Sequence, residues 1–331
     1  MKPYLYPFIL FALVCTLSAC NRESTFESPE IPTSDINDEQ NLNRGYVYTC
    51  DKSGSFEIWK FEAEELTQLT DEAQNDLWWP RYSNATDQII YYRSKSNRDV
   101  NDFVDAELWV MNADGNDAKL LIGKGENGWD KQGLADWSHD GEQLIMAAVD
   151  PAIGTWQLFL MDVNTTDVTR LTQRDDANYF DPVFDIDDQY IYCVSTPDGY
   201  DQSESNHEIF RIAIADGFEE RLTYNDRSDH HPYPSPDGSK LVFETLSDPD
   251  YLSIGKWSIH ELDLASSKEE VVIEDDNINL FPRYSVEGDK IYYNTLSIES
   301  FGMKIARYDI TSGEMSMLVD DYYNAMNVDP F

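Results

Sequence analysis

The sequence predicts an all-β protein, a six-bladed β-propeller of four-stranded antiparallel blades, and two residue columns carry this prediction. In the first column, an aliphatic residue follows nine positions after a marker residue in five copies. The markers are Pro80, Ala135, Pro182, Pro232 and Pro282. In the second column, residues that follow Ile or Leu recur at intervals of 50, 50, 51, 50 and 46 residues. These are Trp59, Trp109, Phe159, Phe210, His260 and Ala306. Repeats of this length with several short strands are typical of propeller blades.

Each unit divides into four strands, which we name A to D from the channel outwards. In the fifth unit the pattern predicts strand A at 231–235, B at 240–245, C at 257–262 and D at 270–273. Asp-Gly pairs between strands supply the positive φ of tight hairpins. The first unit lacks a strand A, but residues 327–331 repeat its start, so we expect the C-terminal strand to pair with the first blade and close the ring.

The N-terminus predicts export. Residues 1–20 read as a signal peptide, with Lys2 ahead of an apolar run that is too short to span a bilayer. The sequence Leu-Ser-Ala-Cys at 17–20 resembles the lipobox of bacterial lipoproteins, which implies cleavage before Cys20 and lipidation of Cys20. Position 21 is Asn and not the Asp that favours retention in the inner membrane of enteric bacteria, so the resemblance implies the outer membrane. The alternative is an ordinary signal peptide that leaves Cys20 unmodified.

The composition of residues 21–331 predicts a tether followed by a folded domain. Residues 21–44 are polar and acidic with few large apolar side chains, so we expect a flexible tether. Residues 45–331 form the predicted propeller. The formal net charge of −39 argues against nucleic acid as a partner, and it leaves the lipid anchor as the expected membrane contact. We expect a monomer. Cys50 and Cys193 fall in opposite blades, so we predict that they do not form a disulfide.

The run at 234–243, Pro-Ser-Pro-Asp-Gly-Ser-Lys-Leu-Val-Phe, resembles the TolB-type propeller repeat, and the resemblance covers about 45–331. Such propellers occur in periplasmic scaffold proteins, in prolyl-oligopeptidase-type enzymes and in glycan-processing proteins. Here the tether stands where TolB has an N-terminal α/β domain, so TolB's role in the Tol-Pal system is not transferred.

Catalytic motifs are absent from the sequence. It contains no G-x-S-x-G elbow, P-loop, dinucleotide fingerprint, CxxC pair or HExxH helix, so we predict no catalytic residue and no cofactor. The sequence predicts a cell-envelope module that binds a protein or a glycan. The alternative is a glycan-active enzyme, similar to oligogalacturonate lyase, that acts at the channel mouth.

We expect ligand contacts where strands A begin, on the face that carries the long B–C and D–A loops. The candidate residues are Trp78, Trp79, Arg81, Asp136, Phe180, Asp181, His230, His231 and Arg283. His230 and His231 offer metal ligands or a general base with Asp181. Adjacent strand residues point to opposite faces, however, so we favour packed rings and predict no metal site.

The remaining candidates also have two interpretations. One interpretation is that Trp78 and Trp79 stack on a sugar or a peptide aromatic ring, and the other is that they pack between blades. Arg81 and Arg283 occupy one repeat position, and we favour pairing with carboxylates over an anion contact.

Overall fold

The structure is a computed structural model that describes residues 45–96, 103–200, 206–251, 255–296, 302–319 and 323–331. The predicted signal peptide (1–20) and tether (21–44) lie outside these residues. Within the described ranges, the structure contains no helix that is long and apolar enough to cross a membrane.

Six four-stranded antiparallel sheets form the six blades, as predicted. The first blade contains β1 (Tyr46–Cys50), β2 (Glu57–Glu62) and β3 (Glu65–Gln68). The second contains β4 (Asn75–Ser83), β5 (Gln88–Lys95), β6 (Glu107–Asn112) and β7 (Lys119–Ile122). The third contains β8 (Gln132–Trp137), β9 (Gln143–Val149), β10 (Trp156–Asp162) and β11 (Val168–Arg170). A 3-10 turn at Glu126–Gly128 precedes it.

The other three blades repeat this order. The fourth contains β12 (Tyr179–Phe184), β13 (Tyr190–Ser195), β14 (Glu208–Ala213) and β15 (Glu219–Arg221). The fifth contains β16 (Asp229–Pro234), β17 (Lys240–Asp248), β18 (Lys256–Asp263) and β19 (Lys268–Ile273). The sixth contains β20 (Ile278–Tyr284), β21 (Lys290–Leu296), β22 (Met303–Asp309) and β23 (Met315–Val319).

The C-terminal strand β24 (Ala325–Pro330) closes the ring, which confirms the predicted closure. It pairs antiparallel with β1, with Tyr46 opposite Pro330. Gly45 and Phe331 exchange both backbone hydrogen bonds, at 3.3 and 3.1 Å. The Phe331 ring then stacks on Tyr82 of the second blade, with centroids 4.1 Å apart. The two ends of the described chain therefore build one blade together.

Every innermost strand is interrupted at the same repeat position. One residue of each strand has a φ between 49° and 61°, in the left-handed region. These residues are Trp79, Leu134, Asp181, His231, Phe281 and Asn327. The pairing register shifts around each of them, as in a β-bulge. In four strands a proline follows directly, and a bulge tolerates proline because no ladder hydrogen bond is needed there.

Aromatic rings pack in the seams between blades on the loop face. A continuous series of ring contacts, with centroids 5.0 to 5.8 Å apart, passes from the second blade to the fifth. Its members are Trp78, Phe103, Trp156, Phe180, His207, His230 and Trp257. Cys50 and Cys193 are both buried and form no disulfide with each other, as predicted.

Candidate functional site: an axial funnel above a buried His–Asp cluster

Three rings close the channel at its axis, and we call Trp79, His231 and Phe281 the plug. Trp79 and His231 belong to opposite blades, yet their rings lie 5.8 Å apart. Phe281 contacts both, at 4.4 Å from His231 and 6.0 Å from Trp79. Contacts between opposite blades occur only at the axis, so these three left-handed residues face the channel. The positive φ at these positions turns the side chains inward where a regular strand would point them into a seam.

Two positions after each left-handed residue, a second layer crosses the channel. We call its four charged members, Arg81, Asp136, Arg283 and Asp329, the charged floor. Arg283 donates from Nη1 to Asp329 Oδ1 and from Nη2 to Asp136 Oδ2, both at 2.7 Å. Arg81 lies over the Trp79 ring, 4.0 Å from its centroid, and its Nε is 4.0 Å from Asp136 Oδ2. The floor therefore joins four blades with two cations and two anions.

Burial and the neighbouring charges together shift the pKa values in the charged floor. Arg81 is 2% exposed, and burial together with the nearby Arg283 charge lowers its pKa to about 9. Burial also raises the pKa of Asp329 above its usual range, although Arg283 and Arg81 oppose this shift. For Arg283, burial is outweighed by the Asp136 and Asp329 carboxylates, and its pKa is raised. The pKa values of Arg81, Arg283 and Asp329 therefore depend on the other charges in the floor.

A cavity of about 310 Å³ lies above the charged floor, and we call it the funnel. Asp136, Asp329 and Arg283 form its base with Tyr233 and Val183, and the ends of strands A form its walls. The wall and rim residues are Tyr82, Ser83, Asn84, Trp137, Ser138, His139, Phe184, Ile186, Pro234, Pro236, Tyr284, Ser285, Val286 and Pro330. These residues belong to the face of the short A–B turns, which we call the turn face.

The funnel thus opens on the face opposite to the loop face where we expected ligand contacts. The physical reason is the plug together with the aromatic seam packing. On the loop face, Trp78, Phe180 and His230 are buried between blades instead of lining an open mouth. Among the expected site residues, only Asp136 and Arg283 line the funnel.

Two of the turns at the funnel mouth, next to the lining residues His139 and Pro236, carry acidic side chains. Asp140 accepts the Glu142 N–H, and Asp237 accepts the Ser235 and Ser239 hydroxyls and the Ser239 N–H. These hydrogen bonds lower the pKa of Asp140, and they lower that of Asp237 to about 2. Such carboxylates stay ionised well into the acid range, so the rim keeps a fixed negative field.

Five ionisable side chains, including His231 of the plug, meet in the seam between the fourth and fifth blades. His230 Nδ1 lies 3.0 Å from Asp181 Oδ2, and His231 Nε2 lies 3.2 Å from Asp181 Oδ1. His231 Nδ1 is 3.1 Å from Glu244 Oε1, while His207 Nδ1 is 3.1 Å from His230 Nε2. We call these five residues the histidine cluster. All of them are buried.

The protonation states within this cluster follow from burial and from charge. Burial opposes a charge on His231, but the Asp181 and Glu244 carboxylates outweigh it and raise the His231 pKa. Burial would raise the pKa of Asp181, whereas His231 and His230 lower it below its usual value. Burial, with the neighbouring His230, holds the pKa of His207 well below its usual value. His207 is therefore a neutral ring, and Asp181 is an anion.

A void of about 20 Å³ separates the charged floor from the plug and touches the cluster at Asp181 and His231. This volume corresponds to about one water molecule. Of the nine expected site residues, Trp79, Arg81, Asp181, His231 and Arg283 line this void together. Trp78, Phe180 and His230 lie in the seams, and Asp136 is in the floor.

Reasoning from the sequence missed His207 and Glu244 of the histidine cluster, Asp329 of the charged floor, and most of the residues that line the funnel, including Tyr233. The signal for Asp329 was the partial repeat at 327–331, in which it stands at the position of Arg81 and Arg283. The signal for Glu244 was its strand-B column, which otherwise holds Thr49, Tyr92, Ala147, Val194 and Asn294.

Several solved structures superimpose on this fold. TolB from Acinetobacter baumannii superimposes with a TM-score of 0.67 at 14% identity, over 88% of this chain and 67% of that one. An Agrobacterium tumefaciens structure provisionally designated TolB gives 0.61 at 15% identity, over 87% and 98%. Oligogalacturonate lyase in complex with manganese gives 0.57 at 14% identity, over 83% and 73%.

Similarity in sequence covers much less of the chain than similarity in structure. No family model matches the chain. An uncharacterized protein of Agrobacterium fabrum is 30% identical over 107 residues, which cover 32% of this chain and 33% of that protein. The match thus spans about a third of the length of that curated relative. The chain has a TolB-like six-bladed β-propeller fold.

Proposed function

We propose that this chain is a non-catalytic binding protein of the cell envelope, whose funnel holds a segment of a partner protein. The funnel is the observation that supports this proposal most strongly. It combines a cavity of about 310 Å³, aromatic walls and a buried base that carries both charge signs. Pockets of this size with a few convergent polar groups are the usual form of a binding site.

The charge around the funnel favours a basic partner segment. The net charge of −39 and the ionised carboxylates of Asp140 and Asp237 attract Lys or Arg side chains towards the turn face. Lys240 and Lys290 in the same turns are already paired with Glu261 and Asp289. The Tyr82 and Tyr284 side chains in the wall offer amphipathic contact area, which suits a peptide chain.

The envelope location rests on the N-terminal sequence and on the fold. The lipobox-like run before Cys20 supports lipid anchoring at the outer membrane, with residues 21–44 as the tether. Two of the similar structures carry the name TolB, which agrees with an envelope protein. Membrane contact would occur through the lipid alone, and the propeller would act as a monomer without binding nucleic acid.

A glycan-active enzyme is the second candidate, because histidines and an aspartate meet at the axis of a fold shared with oligogalacturonate lyase. Accessibility argues against it. His231, which belongs to the plug, is 7% exposed, and Asp181 is 4% exposed. A sugar ring has no route to these side chains through the described channel. A binding role therefore agrees better with the geometry.

A titration with defined peptides tests the proposal. We expect a short Lys-Tyr-Lys peptide to bind in isothermal titration calorimetry, more weakly at high salt, and a Glu-Tyr-Glu peptide to give no signal. Asn84→Trp fills the exposed rim of the funnel and is expected to weaken binding at least tenfold. Val271→Trp on the outer strand β19, where Val271 is 52% exposed, is the control and should bind normally. Equal binding of both peptides, or equal affinity of both variants, would contradict the proposal.

A further inference from the structure

The histidine cluster departs from what the repeat places in every other seam. His207 lies three residues before Phe210 of the repeat column, where the other five blades have Phe56, Ala106, Trp156, Trp257 and Met303. His230 precedes the left-handed residue, where the other blades have Trp78, Gly133, Phe180, Leu280 and Met326. The fold therefore needs no ionisable group at these positions. Buried ionisable groups are costly unless they are paired or bind a metal.

The contact between Asp181 and His231 points to a missing cation. Asp181 Oδ1 and His231 Nε2 are 3.2 Å apart, and neither atom has a hydrogen bond of acceptable geometry within the described residues. His231 Nδ1 faces Glu244, so Nε2 is the nitrogen that this ring directs at Asp181. In a tetrahedral site with bonds of 2.0–2.1 Å, neighbouring ligand atoms are about 3.3 Å apart, which matches this spacing.

His230 supplies a third ligand atom. One ligand atom each from Asp181, His230 and His231 lies within 4.8 Å of the others. The outer ring nitrogens are held as well, His231 Nδ1 by Glu244 and His230 Nε2 by Ser228 Oγ and His207 Nδ1, each at 3.1 Å. Glu244 is fixed in turn by the Phe281 N–H. Metal-ligating histidines are oriented in this way by partners on the ring nitrogen that does not bind the metal.

Charge and space also agree with a divalent ion. Two carboxyl groups, those of Asp181 and Glu244, contact the His231 ring, which suits the two positive charges of such an ion. Arg81 and Arg283, which line the same void, are balanced by Asp136 and Asp329 in the floor. The void of about 20 Å³ beside Asp181 and His231 leaves room for one water in a fourth position.

We propose that Asp181, His230 and His231 bind one divalent transition-metal ion, which fastens the fourth blade to the fifth beside the plug. Two nitrogen ligands and one carboxylate suit Zn²⁺ or Mn²⁺ and do not suit Mg²⁺ or Ca²⁺, which take oxygen ligands. The site is structural, because the plug shields it from substrates. It is independent of what the funnel binds, and it differs from the expectation, based on the sequence alone, that no metal site exists.

Metal analysis of the full-length protein is the test. We expect elemental analysis of purified protein to give close to one transition-metal ion per chain. After removal by a chelator, one equivalent of Zn²⁺ or Mn²⁺ should raise the Tm by about 5 °C. His231→Ala and Asp181→Asn should lose both the metal and the Tm shift. His139→Ala removes an exposed histidine that pairs with Asp188, and it should retain both.

Glu244→Gln keeps all three ligands, so it guards against the possibility that the other variants fail to fold. We expect it to lower the metal affinity about 10- to 100-fold, with the protein still folded. A metal content below about 0.1 ions per chain, with no Tm response to either ion, would overturn the proposal. The positive charge between Asp181 and His231 would then be a proton on His231. The proposal would also fail if His231→Ala retained as much metal as His139→Ala.

Discussion

Arg283 in the sixth blade donates to Asp136 in the third blade across the full width of the channel, with Nη2 and Oδ2 2.7 Å apart. The same guanidinium bonds Asp329 in the first blade, so one side chain ties three blades together. The contact also separates the two parts of the axis, with the funnel above it and the void below it.

Removal of Arg283 should destabilise the protein strongly. Arg283→Met leaves Asp136 and Asp329 buried with only Arg81 for compensation, and we expect a loss of about 3–5 kcal/mol in the free energy of unfolding. Urea denaturation followed by tryptophan fluorescence measures this loss. The matched control is Arg211→Met, which breaks an ion pair with Glu220 at a partly exposed surface position. We expect about 0–1 kcal/mol for the control, and equal losses would mean that the charged floor is not a stabilising unit.

The last residue of the chain should matter more than its terminal position suggests. Phe331→Ala removes a ring that is 8% exposed and stacked on Tyr82, so we expect the free energy of unfolding to fall by about 3 kcal/mol. Phe218→Ala deletes the same ring type at a turn where it is 68% exposed, and we expect a change within about 0.5 kcal/mol. Similar unfolding midpoints for the two variants would show that the ring does not close through the C-terminal strand.

Both thiols of the propeller should be unreactive in the folded protein. Cys50 and Cys193 are 2% and 0% exposed, and burial raises the pKa of the Cys193 thiol well above its usual value. Iodoacetamide at pH 8 should therefore leave both unmodified in native protein and alkylate both in urea, as peptide mass mapping would reveal. Rapid alkylation of Cys193 without denaturant would indicate that the fourth blade opens readily.

The sequence predicted the blade count and the closure because both depend on local, repeated signals. The nine-residue offset from Pro80 to Ile89 recurs in each copy, and residues 327–331 repeat the start of strand A. The face that carries the funnel was not predictable in this way. It depends on the contact between Trp79 and His231, which are distant in the sequence and meet only when the ring closes.

The composition of the site was predictable in part, for a similar reason. Asp181, His230 and His231 were identified as unusual residues at the starts of strands A. Alternation along a regular strand, however, predicts that His230 and His231 point to opposite faces. The left-handed φ of 49° at His231 breaks that alternation and lets both histidines reach Asp181. Glu244 lies on another strand, so only the ring-to-carboxylate contact reveals its role.

Site-specific photo-crosslinking in living cells tests the central claim, that the turn-face funnel holds the partner. A benzophenone side chain would replace Val286 at the funnel rim, Val271 on the outer strand β19, or Tyr224 on the loop face. All three residues are exposed, at 47%, 52% and 74%. We predict a discrete crosslinked protein from Val286 and none from Val271 or Tyr224, with the product lost in Asn84→Trp. A product that forms from Tyr224 and not from Val286 would contradict this account.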